Sequence, residues 1–432
     1  MTIDSKNVRA TLDKHILADG YEPVMDMEKS HGSWLVDERD GSEYLDMFSM
    51  FASGAVGYNH PDIQAGKDRL TAAALYKPTL SDIYNVQYAE FVEAFSNTAI
   101  PEYLPHAFFI EGGALGVENA LKVAFDWKVR KNMEKGKGEK GGKIIHFKHA
   151  FHGRTGYTLS LTNTSDPRKT MYFPKFDWPR IHNPCIEYDL DGNISNDIAA
   201  SESQAKKDLD AAFSKHGDRV AGIIIEPMQG EGGDNHFRSE FLQMLRDYSD
   251  NHDCLLIFDE IQTGFWGSGK PWMWQHHGIA PDIAAFGKKT QVCGIYANNR
   301  VKEVDNNVFT MSSRINSTWG GNLVDMVRSK RFIEIILQED LGENILKRGA
   351  EFVTGLRAMA KEKGTFTNVR GVGSLSAFTL DTPEARDAMI GRMMENKLLA
   401  LKSGPRSIRF RMPLIMSKDE VSDALRRVDS SL

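Results

Sequence analysis

Cysteine is scarce in this sequence. The 432 residues include three cysteines, and Cys185, Cys254 and Cys293 lie far apart without a paired spacing. This pattern excludes the disulfide framework that stabilises many small secreted domains. Cys254 and Cys293 adjoin apolar, strand-like segments, where a free thiol usually packs as a small hydrophobic group. Because scattered single cysteines suit a reducing compartment, we expect a cytoplasmic protein.

Long apolar runs and a strong charge of one sign are also lacking. No run approaches the roughly 18 apolar residues that a membrane-spanning helix needs. The first residues, MTIDSKNVRA, contain no apolar signal-peptide core. The net charge is −6, from 53 basic and 59 acidic residues. This mildly acidic balance argues against nucleic acid or an anionic membrane as the main partner.

The length predicts more than one domain. A chain of 432 residues fits a large domain plus a smaller one better than one simple core. Helical and strand-like patterns alternate along most of it, as in an α/β domain whose mostly parallel sheet is flanked by helices. The C-terminal part is typical of a smaller α+β domain. We expect an N-terminal segment (1–60) packed with the small domain, a large domain (61–325) and a small domain (326–432).

Three predicted strands each end in a residue able to do chemistry. IIIEP ends at Glu226, LLIFDE carries Asp259, and IAAFGK ends at Lys288. In an open, mostly parallel sheet, ligands bind beyond the carboxyl ends of the strands, so these side chains should converge on one crevice. A carboxylate against a ring nitrogen and a lysine that forms a Schiff base are the two groups that a pyridoxal 5'-phosphate enzyme requires. The pattern therefore predicts that cofactor.

Lys288 is the candidate for the Schiff-base lysine. A buried ammonium is costly to desolvate, so its proton is held loosely and the amine becomes a nucleophile towards an aldehyde. An isolated lysine at a strand end is usually a surface residue. Here an apolar run carries Lys288 past the end of its strand, with Asp259 on a similar strand. The adjacent Lys289 is the competing candidate.

Asp259 follows the apolar run LLIF and needs a partner for its charge. A pyridinium N–H is such a partner, and the pair keeps the ring able to accept electrons when a C–H bond breaks. The alternative is an aspartate that caps the next helix. Gln262 could reach the ring hydroxyl or could lie in an exposed turn.

A small-residue loop precedes a predicted helix near Gly116. Gly112, Gly113 and Ala114 would let a phosphate approach backbone N–H groups at the helix N-terminus, where the dipole favours an anion. A plain tight turn fits this loop equally well. Phe151 could stack on a cofactor ring, although a phenylalanine is more often a core residue.

Other motif matches fail in context. GKGEKG at 136–141 has dinucleotide-motif spacing but precedes a strand, and GFWGSGK at 264–270 lacks the Ser or Thr of a P-loop. His146, His149 and His152 resemble a metal cluster, but a strand followed by a turn should point them apart. We therefore expect no metal site.

The motifs together resemble the class III aminotransferases of pyridoxal phosphate fold type I. The resemblance runs from about residue 30 to 415 and is carried by FFIEGGALGVENALK, FHGRTGYTLSLT, EPMQGEGG, IFDEIQTG, PDIAAFGKK, NSTWGGN and IRFRMPL. It implies that Lys288 holds the cofactor, that Asp259 pairs with the pyridine nitrogen and that Gln262 lies near the ring oxygen. Gly113 and Ala114 would bind the phosphate.

The resemblance also implies a homodimer with shared active sites. Thr318 in NSTWGGN matches a hydroxyl that reaches the phosphate of the neighbouring subunit's cofactor. In that case each active site is completed across the interface, and a monomer should be inactive.

Substrate roles follow from the same resemblance. Arg154 would bind a carboxylate far from the ring, and Arg409 would bind the α-carboxylate of glutamate. Glu231 would neutralise Arg409 while the amine donor is bound and move away for a dicarboxylate. In strand alternation Arg409 and Arg411 share one face, so the pattern alone leaves the choice open, and a solvated basic face is a further alternative.

Several motifs resemble those of particular branches of the family, and this resemblance implies the substrate. Lys289, Thr290 and Trp319 resemble the branches acting on lysine or 4-aminobutyrate more than those acting on ornithine or acetylornithine. FPKFDWPRI, FGKKTQVCG and NSTWGGN are most similar to the branch acting on lysine. The implied reaction moves the ε-amino group of L-lysine to 2-oxoglutarate and yields L-glutamate. The alternatives are an aminotransferase for 4-aminobutyrate or another ω-amino acid, and an aminomutase.

Overall fold

Three β-sheets organise the fold, which a computed structural model describes for residues 3–432. The strands are β1 Trp34–Val36, β2 Glu43–Asp46, β3 His106–Ile110, β4 Lys143–Phe147, β5 Arg180–Ile181, β6 Val220–Ile225, β7 Leu255–Asp259, β8 Ile283–Phe286, β9 Cys293–Ala297, β10 Thr367–Val372, β11 Leu375–Thr379, β12 Leu398–Leu399, β13 Leu401–Ser403 and β14 Ser407–Arg411.

Helices cover the sheets and connect them. They are α1 Val8–Leu12, α2 Ser49–Ala52, α3 Pro61–Ala65, α4 Lys67–Ala74, α5 Val86–Thr98, α6 Gly113–Glu134, α7 Gly156–Leu161, α8 Ile198–His216, α9 Ser239–Asn251, α10 Trp274–His277, α11 Leu323–Gln338, α12 Leu341–Lys363, α13 Pro383–Glu395 and α14 Lys418–Asp429. Within residues 3–432 none of them is both long enough and apolar enough to cross a bilayer.

The central sheet has seven strands in the order β3-β9-β8-β7-β6-β4-β5. Strands β5, β4, β6, β7 and β8 run parallel, whereas β9 is antiparallel to both of its neighbours. Every residue of β6, β7 and β8 is buried, which explains why these strands are continuous apolar runs in the sequence. The predicted α/β class with a mostly parallel sheet is confirmed.

Two smaller sheets lie outside the central one. Strands β10, β11, β14 and β13 form an antiparallel sheet from the C-terminal part of the chain. Strand β12 pairs in parallel with β2, which joins the N-terminal strands to the C-terminal part. The domain limits at 60/61 and 325/326 stay predictions.

Helix α6 begins earlier than its apolar pattern indicates. The stripe of apolar residues predicts a start near Gly116, but the helix begins at Gly113, directly after Gly112 with its φ of 98°. Because the first turn contains only small residues and the exposed Leu115, the apolar periodicity could not reveal it. The helix continues to Glu134.

The four residues of α2 form a left-handed turn rather than a right-handed helix. Ser49, Met50, Phe51 and Ala52 all have φ between 49° and 73°, a conformation that L-residues rarely adopt consecutively. The turn is held by Asp46, whose carboxylate accepts a hydrogen bond from the backbone N–H of Ser49 at 2.7 Å.

Candidate active site

A cavity of about 470 Å³ lies where β6, β7 and β8 end. This volume is typical of small-molecule sites, which span about 300–1,000 Å³. The convergence of strand ends predicted from the sequence is therefore present. The lining residues are Ser53, Gly113, Ala114, Phe151, His152, Gly153, Arg154, Glu226, Glu231, Asp259, Ile261, Gln262, Lys288, Gln291 and Cys293.

Most of the predicted site residues line this cavity, and two do not. Lining it are Lys288, Asp259, Gly113, Ala114, Phe151, Gln262, Arg154 and Glu231. Arg409 lies directly behind the wall, with its Nη1 donating to Oε1 of Gln262 at 2.7 Å. Thr318 is exposed and lies outside the lining of its own subunit's cavity.

Asp259 is oriented by a buried histidine. Nδ1 of His152 lies 2.7 Å from Oδ2 of Asp259, and the backbone N–H of Ile261 donates to Oδ1 at 3.0 Å. Nε2 of His152 is buried without a partner in the described part of the chain. The acid at the end of β7 is thus fixed in position by the surrounding protein.

Lys288 begins the short 3₁₀ turn Lys288–Thr290 that follows β8. Its φ of 54° is a left-handed conformation, which for a lysine is strained and is typical of functional sites. Burial, together with the nearby Arg409, lowers the pKa of Lys288 to about 8. Its amine therefore loses a proton far more easily than that of an exposed lysine.

The adjacent Lys289 faces a different environment. It is fully buried and does not line the cavity. Its Nζ has no partner within residues 3–432 and lies against the 263–267 segment, where a Cβ added at Gly267 would be 3.1 Å away. Burial lowers the pKa of Lys289 well below its usual value. Of the two lysines, the structure brings Lys288 to the cavity.

The N-terminus of α6 forms one corner of the cavity. The first N–H groups of a helix have no intrahelical partner and carry its positive dipole end. Space is tight there, because a Cβ on Gly113 would lie 3.1 Å from Ile261 and one on Gly153 would lie 2.5 Å from Ala114. This crowding accounts for the small residues of the loop.

Glu226 lines the cavity and fixes two backbone segments beside it. Its two oxygens accept hydrogen bonds from the backbone N–H groups of Phe151 at 2.9 Å and Gly230 at 3.0 Å. Burial, with the nearby Asp259 charge adding to it, raises the pKa of Glu226 to about 7. Glu226 therefore holds the backbone of Phe151 in place.

The two arginines of β14 differ in their partners. Arg411 makes a bidentate ion pair with Asp234, at 2.6 and 2.7 Å, and both side chains are buried. Arg409 donates only from Nη1, to Gln262, and its buried Nε has no partner within residues 3–432. Burial and the nearby Arg411 charge lower the pKa of Arg409 to about 10. Arg409 is thus the arginine with donors left for a ligand.

Glu231 is held by Thr164 and Lys169, and its pairing with Arg409 while the amine donor is bound stays a prediction. Its Oε1 accepts hydrogen bonds from Oγ1 of Thr164 at 2.8 Å and from Nζ of Lys169 at 2.5 Å. Its Oε2 is buried without a partner among the described residues. In this structure the carboxylate is therefore held by Thr164 and Lys169 and makes no ion pair with the arginine within residues 3–432.

Gln262 binds both arginines of β14. Its Oε1 accepts hydrogen bonds from Nη1 of Arg409 at 2.7 Å and from Nε and Nη2 of Arg411 at 3.2 and 2.7 Å. The amide oxygen is thus committed to the two guanidinium groups. The role predicted for Gln262 at a ring oxygen remains a prediction.

The residues present fit pyridoxal 5'-phosphate. A fixed carboxylate (Asp259), an easily deprotonated amine (Lys288) and a helix N-terminus with small residues face one cavity, with Phe151 in its wall. These are the groups needed for the ring nitrogen, the aldehyde carbon, the phosphate and the ring face of that cofactor. Asp259 would hold the ring nitrogen of the cofactor, and Lys288 would hold its aldehyde carbon.

Sequence reasoning missed several residues of the site. His152 entered only as part of a histidine cluster, and within residues 3–432 no group of three or more His, Cys, Asp or Glu side chains could hold a metal ion. Asp234, Thr164 and Lys169 carried no motif. The glycines of QGEGGD could have indicated a turn that brings Asp234 inward. No sequence pattern indicated that Asp234 would pair with Arg411.

Comparisons with known proteins agree with this arrangement. Residues 16–432 match the family described as aminotransferase class-III. The L-lysine-epsilon aminotransferase of Amycolatopsis lactamdurans is 46% identical over 99% of this chain and 96% of that protein. A solved structure of lysine aminotransferase from M. tuberculosis in the internal aldimine form has a TM-score of 0.97, with 45% identity over 100% of this chain and 99% of that chain.

More distant relatives carry another name. The probable mitochondrial 4-aminobutyrate aminotransferase of Caenorhabditis elegans is 30% identical over 99% of this chain and 92% of that protein. The cavity, its lysine and acid, and the match over almost the whole length lead to one conclusion. The chain belongs to the class III aminotransferases, a family of pyridoxal phosphate-dependent transaminases of the α/β fold described above.

Proposed function

We propose that this protein is an L-lysine:2-oxoglutarate 6-aminotransferase. It would move the terminal amino group of L-lysine to 2-oxoglutarate, giving 2-aminoadipate 6-semialdehyde and L-glutamate. The observation that carries the proposal is the cavity in which Lys288 and Asp259 meet beside Arg409, an arginine with an unused buried donor. The 46% identity to an L-lysine-epsilon aminotransferase over nearly the whole chain supports lysine as donor.

The chemistry divides between cofactor and protein. When bound, pyridoxal phosphate supplies an aldehyde for the amine and an electron sink for the cleaved C–H bond. Asp259, fixed by His152, keeps the pyridine nitrogen protonated. Lys288 removes the proton from the ε-carbon of lysine, and its lowered pKa of about 8 suits a group that gives and takes protons near neutral pH.

Two arginines would bind the carboxylates of the substrates. Arg154 is exposed at the cavity and would hold the carboxylate far from the reacting centre. Arg409 would bind the second carboxylate of 2-oxoglutarate, for which its free Nε is available. Glu231 lines the same cavity and would neutralise Arg409 when lysine occupies the site. A charged guanidinium without a partner is costly to bury, so Arg409 would need Glu231 while lysine is bound. The second carboxylate of 2-oxoglutarate would take that place, and Glu231 would then withdraw.

Thr318 would serve the neighbouring subunit of a homodimer. It adjoins an exposed apolar surface, since the backbone N–H of Leu80 donates to the carbonyl of Trp319 at 3.1 Å. Large exposed apolar surfaces are typical of subunit interfaces. In that surface Tyr76 and Tyr84 are 78% and 75% exposed. The other exposed apolar residues there are Leu75, Ile83 and Val86.

The dimer has a direct test. Mixing Lys288→Ala with Thr318→Ala subunits should create heterodimers in which one site has both native residues. We expect tighter retention of cofactor and more activity in the mixture than in either variant alone. A mixture no better than its two components, with heterodimers verified by tagged subunits, contradicts a shared site.

Compartment and domain division complete the proposal. All three cysteines are unpaired, which suits a reducing cytoplasm. The division into an N-terminal segment, a large domain and a C-terminal small domain is supported by the separate sheets, with β12 and β2 linking the first and last parts.

The activity itself is tested with the purified holoenzyme. L-lysine and 2-oxoglutarate should yield glutamate and a semialdehyde that reacts with an aldehyde reagent, at a higher kcat/KM than 4-aminobutyrate gives. Turnover of 4-aminobutyrate but not of lysine would indicate a 4-aminobutyrate aminotransferase. Conversion of lysine without 2-oxoglutarate and without glutamate would indicate an aminomutase.

A further inference from the structure

Two residues outside the predicted site hold the carboxylate of Glu231. Lys169 ends the 3₁₀ turn Pro167–Lys169, and Thr164 lies in the loop before that turn. Both bind the same oxygen, Oε1, with Nζ of Lys169 at 2.5 Å and Oγ1 of Thr164 at 2.8 Å. Thr164 also accepts a hydrogen bond from the backbone N–H of Asp166 at 3.4 Å, which directs its own proton towards Glu231.

With Glu231 in this position, two buried charged side chains each keep one atom without a hydrogen-bond partner within residues 3–432. Oε2 of Glu231 and Nε of Arg409 are both buried and lack a partner within residues 3–432. A buried charged group without its hydrogen bonds is unfavourable, so an ion pair between these groups would satisfy both. That such a pair is absent while Lys169 and Thr164 hold the carboxylate indicates two competing positions for Glu231.

We propose that Lys169 and Thr164 form a holding site for Glu231, and that this site sets how readily the enzyme accepts a dicarboxylate. The proposal rests on the proposed function, in which Glu231 must leave Arg409 when 2-oxoglutarate binds. With Glu231 held, Arg409 is free for the second carboxylate. With Glu231 on Arg409, the site suits lysine. Lys169 and Thr164 are thus positioning residues that act through Glu231.

The balance between the two positions determines the size of the effect. The side chain of Lys169 is 34% exposed and that of Glu231 is 17% exposed, so water partly screens their attraction. Partly exposed ion pairs contribute modestly, which corresponds to about a threefold to tenfold change in an equilibrium. Loss of the holding site should therefore shift specificity without abolishing catalysis.

Direct contact between Lys169 and a substrate is the rival explanation. Nζ of Lys169 lies 6.0 Å from the ring centre of Phe151, which lines the cavity. An ammonium group that bound substrate carboxylates itself would assist lysine and 2-oxoglutarate alike, since both carry a carboxylate. A holding site for Glu231 assists only the dicarboxylate.

The test uses the holoenzyme with Lys169→Met, Lys169→Arg and Thr164→Val. Each half-reaction is followed separately in the cofactor absorbance, with lysine and then with 2-oxoglutarate, and the dissociation constant of glutarate is measured by calorimetry. For Lys169→Met we expect the KM for 2-oxoglutarate and the glutarate dissociation constant to rise threefold to tenfold. The KM for lysine should stay within twofold or fall, and Lys169→Arg should restore most of the loss.

A double variant separates the holding site from a structural effect. In a Glu231→Gln background, which lacks the charge to be held, Lys169→Met should change dicarboxylate binding by less than twofold. Lys175→Met is the matched control, because Lys175 is an exposed lysine that follows the same turn and forms no ion pair in the described part of the chain.

Three results would overturn the proposal. One is an equal rise in KM for lysine and 2-oxoglutarate in Lys169→Met, which indicates direct substrate contact. Another is an undiminished effect in the Glu231→Gln background, which indicates a structural role. The third is no change in either half-reaction. Failure of the proposed function looks different, because the wild-type enzyme itself would then not react with lysine or 2-oxoglutarate.

Discussion

Nδ1 of His152 lies 2.7 Å from Oδ2 of Asp259, and the two side chains are 0% and 4% exposed. A carboxylate only accepts hydrogen bonds, so the histidine carries its proton on Nδ1. The backbone N–H of Ile261 completes the contacts of Asp259 at 3.0 Å. The acid is thereby aimed into the cavity before any ligand arrives, which lowers the cost of ordering the site.

Replacement of His152 by Asn should loosen this acid. A buried hydrogen bond to a charged group stabilises by about 1.5–3 kcal/mol, so we expect kcat to fall roughly tenfold to a hundredfold. The dissociation constant of the cofactor should rise as well. Steady-state kinetics and cofactor titration of the apoprotein measure both effects.

His149→Asn is the control for that change. His149 is exposed, and its φ of 62° is a conformation that asparagine tolerates. The control should behave like the wild type. Unchanged kcat and unchanged cofactor affinity in His152→Asn would remove the assigned role of the histidine.

The adjacent lysines should respond in opposite ways. Lys288→Ala should lose the absorbance of covalently held cofactor and lower kcat by at least about a hundredfold. Lys289→Met removes a buried amine that has no partner within residues 3–432, and it should raise the free energy of unfolding by about 1 kcal/mol. Absorbance spectra and urea denaturation distinguish the two. Loss of covalent cofactor in Lys289→Met, with retention in Lys288→Ala, reverses the assignment.

Replacing the two arginines of β14 should have different effects, one on substrate binding and the other on the free energy of unfolding. Arg409→Met removes the free donor, so we expect the KM for 2-oxoglutarate to rise about tenfold to a hundredfold with a smaller change for lysine. Arg411→Met leaves the buried Asp234 unpaired and should lower the free energy of unfolding by about 3–5 kcal/mol. Kinetics of Arg409→Met and denaturation of Arg411→Met check the pair. A selective loss of 2-oxoglutarate binding in a stable Arg411→Met would refute the division.

Glu226 should make the stability of the apoprotein depend on pH. Its pKa is raised from 4.5 to about 7 by burial, so the folded protein binds more protons than the unfolded chain between those values. The stabilising contribution is complete below pH 4.5 and is lost as the pH rises through 7. From pH 5 to pH 8, wild type should lose about 2 kcal/mol relative to Glu226→Gln, which carries no charge at either pH.

Urea denaturation at fixed protein concentration measures this difference. The buried Glu260 also has a raised pKa of about 7, but it is present in both proteins and cancels in the comparison. Glu93→Gln, at an exposed position of α5, is the control. A constant difference between wild type and Glu226→Gln from pH 5 to pH 8 contradicts the prediction.

The central sheet, and the reactive residues at the carboxyl ends of its strands, were predictable from the sequence. Parallel strands buried on both faces must be apolar along their length, so VAGIII, LLIFD and IAAF are recognisable as strands. The residues that follow them must lie at one edge of the sheet. This local reasoning placed Asp259 and Lys288 in one cavity.

The start of α6 was not predictable in the same way. Apolar periodicity reports only the buried side of a helix, and in the first turn of α6 the one large apolar residue, Leu115, is exposed while the others are glycine and alanine. Its small residues are explained by contacts with Ile261 and Gly153, which come from distant parts of the chain.

The sequence by itself determined that the ends of the buried parallel strands, with Asp259 and Lys288, meet at one cavity, because hydrophobic burial of a strand is written in contiguous residues. Only the tertiary structure decided which charged side chains form ion pairs with each other. Arg411 meets Asp234, and Glu231 meets Lys169, across separations of 177 and 62 residues. Such pairings depend on Ångström-scale distances and on which polar groups lose water together, and no local pattern of residues encodes those quantities.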